Sequence, residues 1–351
     1  MTDEGSIICL VGSYGASSVP TIRAFGLDEA TGTLTPIGSH SGVGDASFLL
    51  VAEPDVLLAT SEGPGAVVGL RMRRIDADLR LDQVSVLPSM GDAPCHLAIH
   101  GPWVVAANYG SGSLSVLRRG PGGRLLEVSA VATHRGSGPR GDRQEGPHVH
   151  GSCFLDDGRW LVAADLGIDR LVVYRFDPER GRVDRHEEVA TAAGSGPRQL
   201  VAHPDGRHVL VVNELDNTVA THRWVGDGSL PVVDAIPTVP DDAPSNLAAD
   251  IRIAGQLVYV ANRGHDSVAV LSVDRDGRLS RLGSHPTGGS GPRGFSLSPS
   301  GAWLVAANQA GNSVTVLPVR EGGTTLGDPV TEVTVPSPAS VVFSRGSAEA
   351  G

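Results

Sequence analysis

Apolar positions along this chain come in short runs set off by Gly, Asp, Asn and Pro. Six stretches repeat one arrangement: LLATSEGPGAVVGL, VVAANYGSGSLSVL, LVAADLGIDRLVVY, VLVVNELDNTVATH, VYVANRGHDSVAVL and LVAANQAGNSVTVL. Each is an apolar run, a small polar residue, one variable residue, a tight turn and an alternating run. The variable residues are Glu62, Tyr109, Leu166, Glu214, Arg263 and Gln309, at spacings of 47, 57, 48, 49 and 46. A further step of 48 back from Glu62 reaches Tyr14 in LVGSYG, a weaker seventh copy. Self-similarity at such a period marks a repeat architecture, and seven units account for nearly the whole chain.

The runs are rich in Val, Leu and Ala, short, and bounded by turn residues, which reads as strand. Asp-Asp-Gly at 156–158, Pro-Asp-Gly at 204–206 and Pro-Ser-Gly at 299–301 supply tight turns. Nothing reads as a long amphipathic helix. The expected fold is all-β: a seven-bladed β-propeller with about four antiparallel strands per blade, one domain over 1–351 with a core at about 7–343. An open ring would leave a long unpaired sheet edge. SPASVVF at 337–343 is therefore expected to complete the first blade beside SIICLVG at 6–12. The 57-residue step places an inserted loop around 133–146, ahead of one blade's first strand, and 344–351 reads as a frayed tail.

Hairpin symmetry gathers residues from distant parts of the chain. Arg198 and Glu214 are equidistant from Gly206, His150 and Leu166 from Gly158, and Arg293 and Gln309 from Gly301. Antiparallel pairing sets such residues opposite each other or nearly so, at the rim of the central channel. The candidate set at that mouth is Tyr14, Glu62, Tyr109, His148, His150, Arg198, Glu214, Arg263, Arg293 and Gln309. His96, which begins an inner strand in PCHL, is a lesser candidate. The recurring Asn108, Asp165, Asn213, Asn262 and Asn308 read as turn or backbone caps rather than chemistry.

Composition narrows the field. All 28 basic residues are Arg, which excludes lysine Schiff-base and lysine-nucleophile chemistry. With 39 acidic residues the net charge is −11, and no basic tract is present, so nucleic-acid binding is not expected. No apolar run approaches the ~18 residues of a membrane helix, so no membrane span is expected. The acidic start, residues 1–5, lacks a signal peptide's basic region. Cys9, Cys95 and Cys153 form no close pair and suit reduced thiols, so a cytoplasmic location is expected. The sequence carries no signal for an oligomeric state.

Three arginines around one cavity suit an anionic small molecule, because the guanidinium fork binds carboxylate and phosphate in bidentate fashion. Glu214 beside Arg198 reads as an ion pair that keeps the carboxylate charged. An ionised Glu214 or a neutral His150 can take a proton from water, and an arginine can stabilise the oxyanion formed at a carbonyl. These parts add up to hydrolysis of an anionic ester or lactone. No G-x-S-x-G elbow marks a serine nucleophile. His148 and His150 in GPHVHG are two apart, which on a strand sets them on one side. The carboxylate or cysteine partners of a metal site are not evident, and no metal is expected. The GSGPR stretches at 136–140, 194–198 and 289–293 precede strands rather than helices, so they read as inter-blade turns and not phosphate loops.

Over roughly 7–343 the chain resembles the seven-bladed propeller lactonases. The resemblance is carried by PCHLAI with VAANYGSGSLSV, RQEGPHVH, VAADLGIDRLVVYRFDP, GSGPRQLVAHPDG with VVNELDNTV, VYVANRGHDSVAV, and GPRGFSLSPSG with VAANQAGNSVTV. It implies hydrolysis of 6-phospho-D-glucono-1,5-lactone to 6-phosphogluconate, in the pentose phosphate pathway, without metal or organic cofactor. Family members include muconate lactone-forming cyclases, so a lactonising cyclase or a lactonase for another lactone is the alternative; a non-catalytic interaction propeller is the third. The resemblance places site roles on His150, Glu214, Arg198 and Arg263. On the leading reading Glu214 or His150 activates water, Arg198 stabilises the oxyanion, and Arg263 and Arg293 hold the anionic group, with His148, Tyr109, Gln309 and His96 as further binding residues. The first two blades depart from the family pattern: DASFLL and TSE stand at the expected motifs, so Glu62 stays in the candidate set at the mouth without an assigned role.

Overall fold

The computed structural model describes residues 7–243 and 245–345, and these form a seven-bladed β-propeller. Each blade is an antiparallel sheet read outward from the axis. The inner strands are Pro338–Arg345 in blade 1, Leu49–Glu53 in blade 2, Pro94–His100 in blade 3 and Val149–Leu155 in blade 4. They continue with Pro197–Ala202 in blade 5, Leu247–Ala254 in blade 6 and Pro292–Leu297 in blade 7. Three more strands follow outward in each blade. In blade 7 the outermost position is split between Thr325–Leu326 and Thr331–Thr334, both paired with Ser313–Arg320. Among the described residues the helical pieces are two short 3-10 turns, Pro121–Gly123 and Glu321–Gly323.

The ring closes as the sequence implies. The chain's last strand, Pro338–Arg345, is the inner strand of blade 1 and pairs with Ile7–Ser13, from Ile7 opposite Arg345 to Ser13 opposite Pro338. It runs two residues further than expected. The rest of the anticipated tail and the acidic start lie outside the described residues.

The core explains why the strands read as unbroken apolar runs. Each blade is buried on both faces, so alternate side chains enter two different inter-blade layers. In the strand Ile7–Ser13, Ile8 and Leu10 pack with Leu57, Val68 and Leu70 of blade 2. Cys9 and Val11 pack with Val305, Val314 and Val316 of blade 7. Every neighbouring pair of blades shares such a cluster. The recurring polar residues lie inside these layers. Asn108 donates to Ser113 and Ser115, Asn213 to Thr218, and Asn308 to Ser313 and Thr315. They tie the end of one strand to the start of the next.

Candidate active site

The site is built from one backbone device used repeatedly. In six of the seven inner strands the ladder slips by an extra residue or two near the same mouth of the channel. The extra residues are Ala339, Cys95, His150, Arg198, the pair Ala249–Asp250, and Arg293. A bulge re-aims the side chain it carries. The residue after it stays small where strands crowd the axis: a Cβ on Gly151 would sit 2.8 Å from the Arg198 carbonyl oxygen.

The bulges also correct the hairpin register expected from sequence. The amide of Glu214 donates to Gly196 O, that of Leu166 to His148 O and that of Gln309 to Gly291 O. Arg198, His150 and Arg293 therefore do not stand opposite these residues; each lies two positions along. The seven variable positions nonetheless occupy equivalent places, since Tyr14, Glu62 and Tyr109 donate in the same way to Ser337 O, Asp45 O and Ala93 O.

A cavity of about 230 Å³ opens at this mouth, lined by Glu62, Cys95, Tyr109, Arg143, His150, Glu214, Leu247, Arg263 and Arg293. At its centre Glu214 is 4% exposed and holds three guanidinium groups. Its Oε1 accepts from Arg143 at 2.6 Å, and its Oε2 accepts from Arg198 at 2.8 Å and Arg263 at 2.7 Å. Burial pushes this carboxyl's pKa up, but the charges of Arg263 and Arg198 outweigh it and hold the group far below the usual carboxylate range. Burial, then the neighbouring arginines, pull Arg263 down to about 10. On the other wall Tyr14 O–H donates to Glu62 at 2.9 Å and accepts from Arg293 at 2.8 Å. The Arg293 guanidinium also lies over the Tyr14 ring, 5.2 Å from its centroid. Among the described residues no carboxylate pairs directly with Arg293.

His150 faces this cavity uncharged. Burial, followed by the charge of Arg198, sets its pKa well below the ordinary histidine value. Its Nδ1 is 3.7 Å from Cys95 Sγ, and Nε2 has no hydrogen-bond partner among the described residues. Burial holds the Cys95 thiol protonated, with its pKa pushed up to about 12.

The model of the lactonase family with a seven-bladed β-propeller matches residues 8–343. The chain belongs to that family. The propeller lactonase is 31% identical to the 6-phosphogluconolactonase of Bacillus subtilis over 95% of this chain and 97% of the relative. It is 26% identical to the 6-phosphogluconolactonase of Formosa agariphila, over 87% and 90%. The solved structure of the periplasmic gluconolactonase of Pseudomonas aeruginosa superposes with a TM-score of 0.89 at 27% identity, over 97% of this chain and 99% of that one. The protein is thus a lactone-hydrolysing enzyme of the carboxylic ester hydrolase class. No helix among its described residues is long and apolar enough to cross a membrane.

Of the residues expected at the lactonase site, His150, Glu214, Arg263, Arg293 and Tyr109 line the cavity. Arg198 does not. It lies beneath, its Nε on Glu214 and its Nη1 on Ala249 O, beside a cavity of only about 20 Å³. His148 stacks on the Tyr109 ring at 4.4 Å and donates to the Tyr109 carbonyl, while Nε2 is 3.1 Å from Glu145. The bulge at 150 breaks the strand alternation that would have set the two histidines side by side. Gln309 stays on the rim, against Ser337. His96 packs on Phe48 and faces a groove of about 720 Å³ at the far mouth, shared with His100 and His203. That places it outside the catalytic cavity.

Glu62, placed at the mouth without a role, also lines the cavity, and two lining residues escaped the sequence reading: Cys95 and Arg143. Arg143 comes from the inserted loop, in the RQEGPHVH stretch. Beside it Gln144 is fully buried and donates to Leu166 O and Asp169. The glycine-rich stretches serve as turns: Gly194 and Gly196 donate to Asp169, and Gly291 donates to Asp266. The first copy, at 136–140, is part of the inserted loop and not the lead-in to a strand.

Proposed function

We propose that the enzyme hydrolyses an anionic sugar lactone, with 6-phospho-D-glucono-1,5-lactone as its substrate. The observation that carries this reading is the charge of the cavity. Arg143, Arg263 and Arg293 line it against Glu62 and Glu214, with buried Arg198 beneath Glu214, so the site keeps a surplus of positive charge suited to a phosphate or carboxylate. Asp250 and Arg252 below cancel each other in a 2.8 Å pair.

His150 is the general base in this reading. It is neutral with an unengaged Nε2, whereas the carboxylate of Glu214 is occupied by three arginines. Water gives its proton to His150 Nε2 as its oxygen attacks C1 of the lactone. The resulting oxyanion is met by Arg293, whose guanidinium has no direct carboxylate partner among the described residues. Collapse breaks the C1–O5 bond, and the leaving O5 takes the proton back from His150. The acid product then ionises to the carboxylate. Arg198 supports the site by fixing Glu214. The three free thiols favour a reducing compartment, the cytoplasm.

The likeness to a gluconolactonase supports a second reading, in which the substrate lacks the phosphate. A pH-stat assay on freshly prepared phosphorylated and phosphate-free lactones, with spontaneous ring opening subtracted, separates the two. Turnover of neither above the spontaneous rate overturns both.

A further inference from the structure

We infer that Arg143 is the specificity-determining residue of the site: it exchanges Glu214 for the distal phosphate of the substrate. The inference rests on the lactonase reading above and names the residue that selects the anionic group.

The three guanidinium groups on Glu214 are not equivalent. The side chains of Arg198 and Arg263 are 4% and 16% exposed, and both project from strands of the propeller wall. The Arg143 side chain is 31% exposed and comes from the inserted loop at the mouth. Among the described residues it alone holds Glu214 Oε1, while the other two share Oε2. If Arg143 lets go, Glu214 keeps two charged partners and stays ionised. Release of Arg198 would instead leave an almost wholly buried cation without its carboxylate.

The loop fixes the Arg143 backbone, so that its head, held on Glu214, is the part that can re-aim. The amides of Arg143 and Gln144 both donate to Arg140 O, closing a tight turn. Gln144 pins that turn to Leu166 O and Asp169. At the loop's start, His134 is buried between Asp165 and Tyr174, 2.6 Å from each. Only the arginine side chain has to move. An incoming phosphate dianion offers it more charge and more acceptor atoms than one carboxylate oxygen, so the exchange is favoured for a phosphorylated substrate and not for a neutral sugar lactone. His150 lies deeper, at the bulge. A substrate with C1 against His150 and its phosphate toward the loop spans the cavity from floor to mouth.

The test is a comparison of wild type, Arg143→Gln and Arg143→Lys. Turnover is measured on 6-phosphogluconolactone and on gluconolactone, and binding of 6-phosphogluconate and gluconate by calorimetry. The expected result is a fall of about 30-fold or more in the ratio of kcat/KM for the phosphorylated over the phosphate-free lactone in Arg143→Gln, carried mainly by KM. Weaker binding of 6-phosphogluconate alone should accompany it, with partial recovery in Arg143→Lys. Equal losses on both lactones would mean that Arg143 serves Glu214 only, and would overturn the inference. So would a wild-type protein that binds 6-phosphogluconate no better than gluconate. Should wild type hydrolyse neither lactone but still lose phosphogluconate binding in Arg143→Gln, the lactonase reading fails while the assignment of Arg143 to the phosphate stands.

Discussion

Arg198 Nε and Glu214 Oε2 lie 2.8 Å apart with both side chains almost wholly buried, yet the backbones that carry them are out of step. Glu214 is hydrogen-bonded to Gly196, and the bulge between Pro197 and Gln199 turns Arg198 back toward it. Blade 5 thus pairs a carboxylate from one strand with a cation from the next by local distortion, and blades 4 and 6 send His150 and Arg263 to the same point.

Replacing Glu214 by Gln removes the common counter-ion of three arginines. Breaking a buried pair by neutralising one partner leaves an uncompensated charge and costs about 3–5 kcal/mol. Glu214→Gln should therefore melt well below wild type and lose at least ~100-fold in turnover. Calorimetry and the lactone assay check both. A variant as stable as wild type would mean that the arginines find other partners.

His150→Asn tests the base. Turnover should fall by ~100-fold or more. Because the pKa of His150 is set below its ordinary value, the acid limb of kcat/KM in wild type should lie below about pH 6.5. The same shift affects stability. A group with a lowered folded pKa contributes fully above its unfolded value and loses that contribution as the pH falls. Wild type should then begin to lose stability below about pH 6.5 through His150, and again below about pH 4.3 through Glu214. The upper phase should be smaller in His150→Asn in melts taken from pH 8 to pH 3, the remainder coming from His96 and His222, whose pKa values burial also lowers.

The two phases correspond to groups that the sequence exposed to different degrees. The propeller is legible because its repeats carry turn residues and apolar runs at a steady period, and Glu214 and Arg263 share the equivalent variable position in their repeats. His150, Arg198 and Arg293 were also placed near one mouth, but in the wrong register. A bulge of one residue leaves no compositional mark, and the turn is centred just before Gly206, so mirror symmetry about Gly206 set Arg198 opposite Glu214 when Gly196 holds that place. The same blindness put His148 beside His150 and sent His96 to the wrong mouth. Arg143 was missed because it belongs to no repeat: an inserted loop has no equivalent positions to compare. Glu62 was placed at the mouth but given no role, because its blade departs from the family motif, although its backbone occupies the regular place.

Tyr14 joins Arg293 to Glu62 through one hydroxyl. Tyr14→Phe keeps the ring beneath the guanidinium and removes both hydrogen bonds. Kcat/KM should fall about tenfold, roughly the worth of one charge-assisted hydrogen bond, with little change in melting temperature. An unchanged rate would show that the ring contact alone fixes Arg293.

The ring closure makes a sharper demand on stability. Pro338–Arg345 lies last in the chain but innermost in blade 1, where it pairs with Ile7–Ser13 along its length. Val341 is buried in the layer between blades 7 and 1, and Ser340 Oγ accepts from the amide of Leu49 in blade 2. Removing residues 338–351 would strip the inner edge from the first sheet, expose that layer and leave unpaired backbone groups at the axis. The truncated chain should fail to give a single cooperative transition and should aggregate. A circular permutant that joins the C-terminal strand directly to the N-terminal one, and opens the chain at the exposed turn around Gly206, keeps every strand pair. It should fold, melt cooperatively and retain lactone turnover. Equal behaviour of truncation and permutant would contradict closure by that strand, and scanning calorimetry with size-exclusion chromatography distinguishes the outcomes.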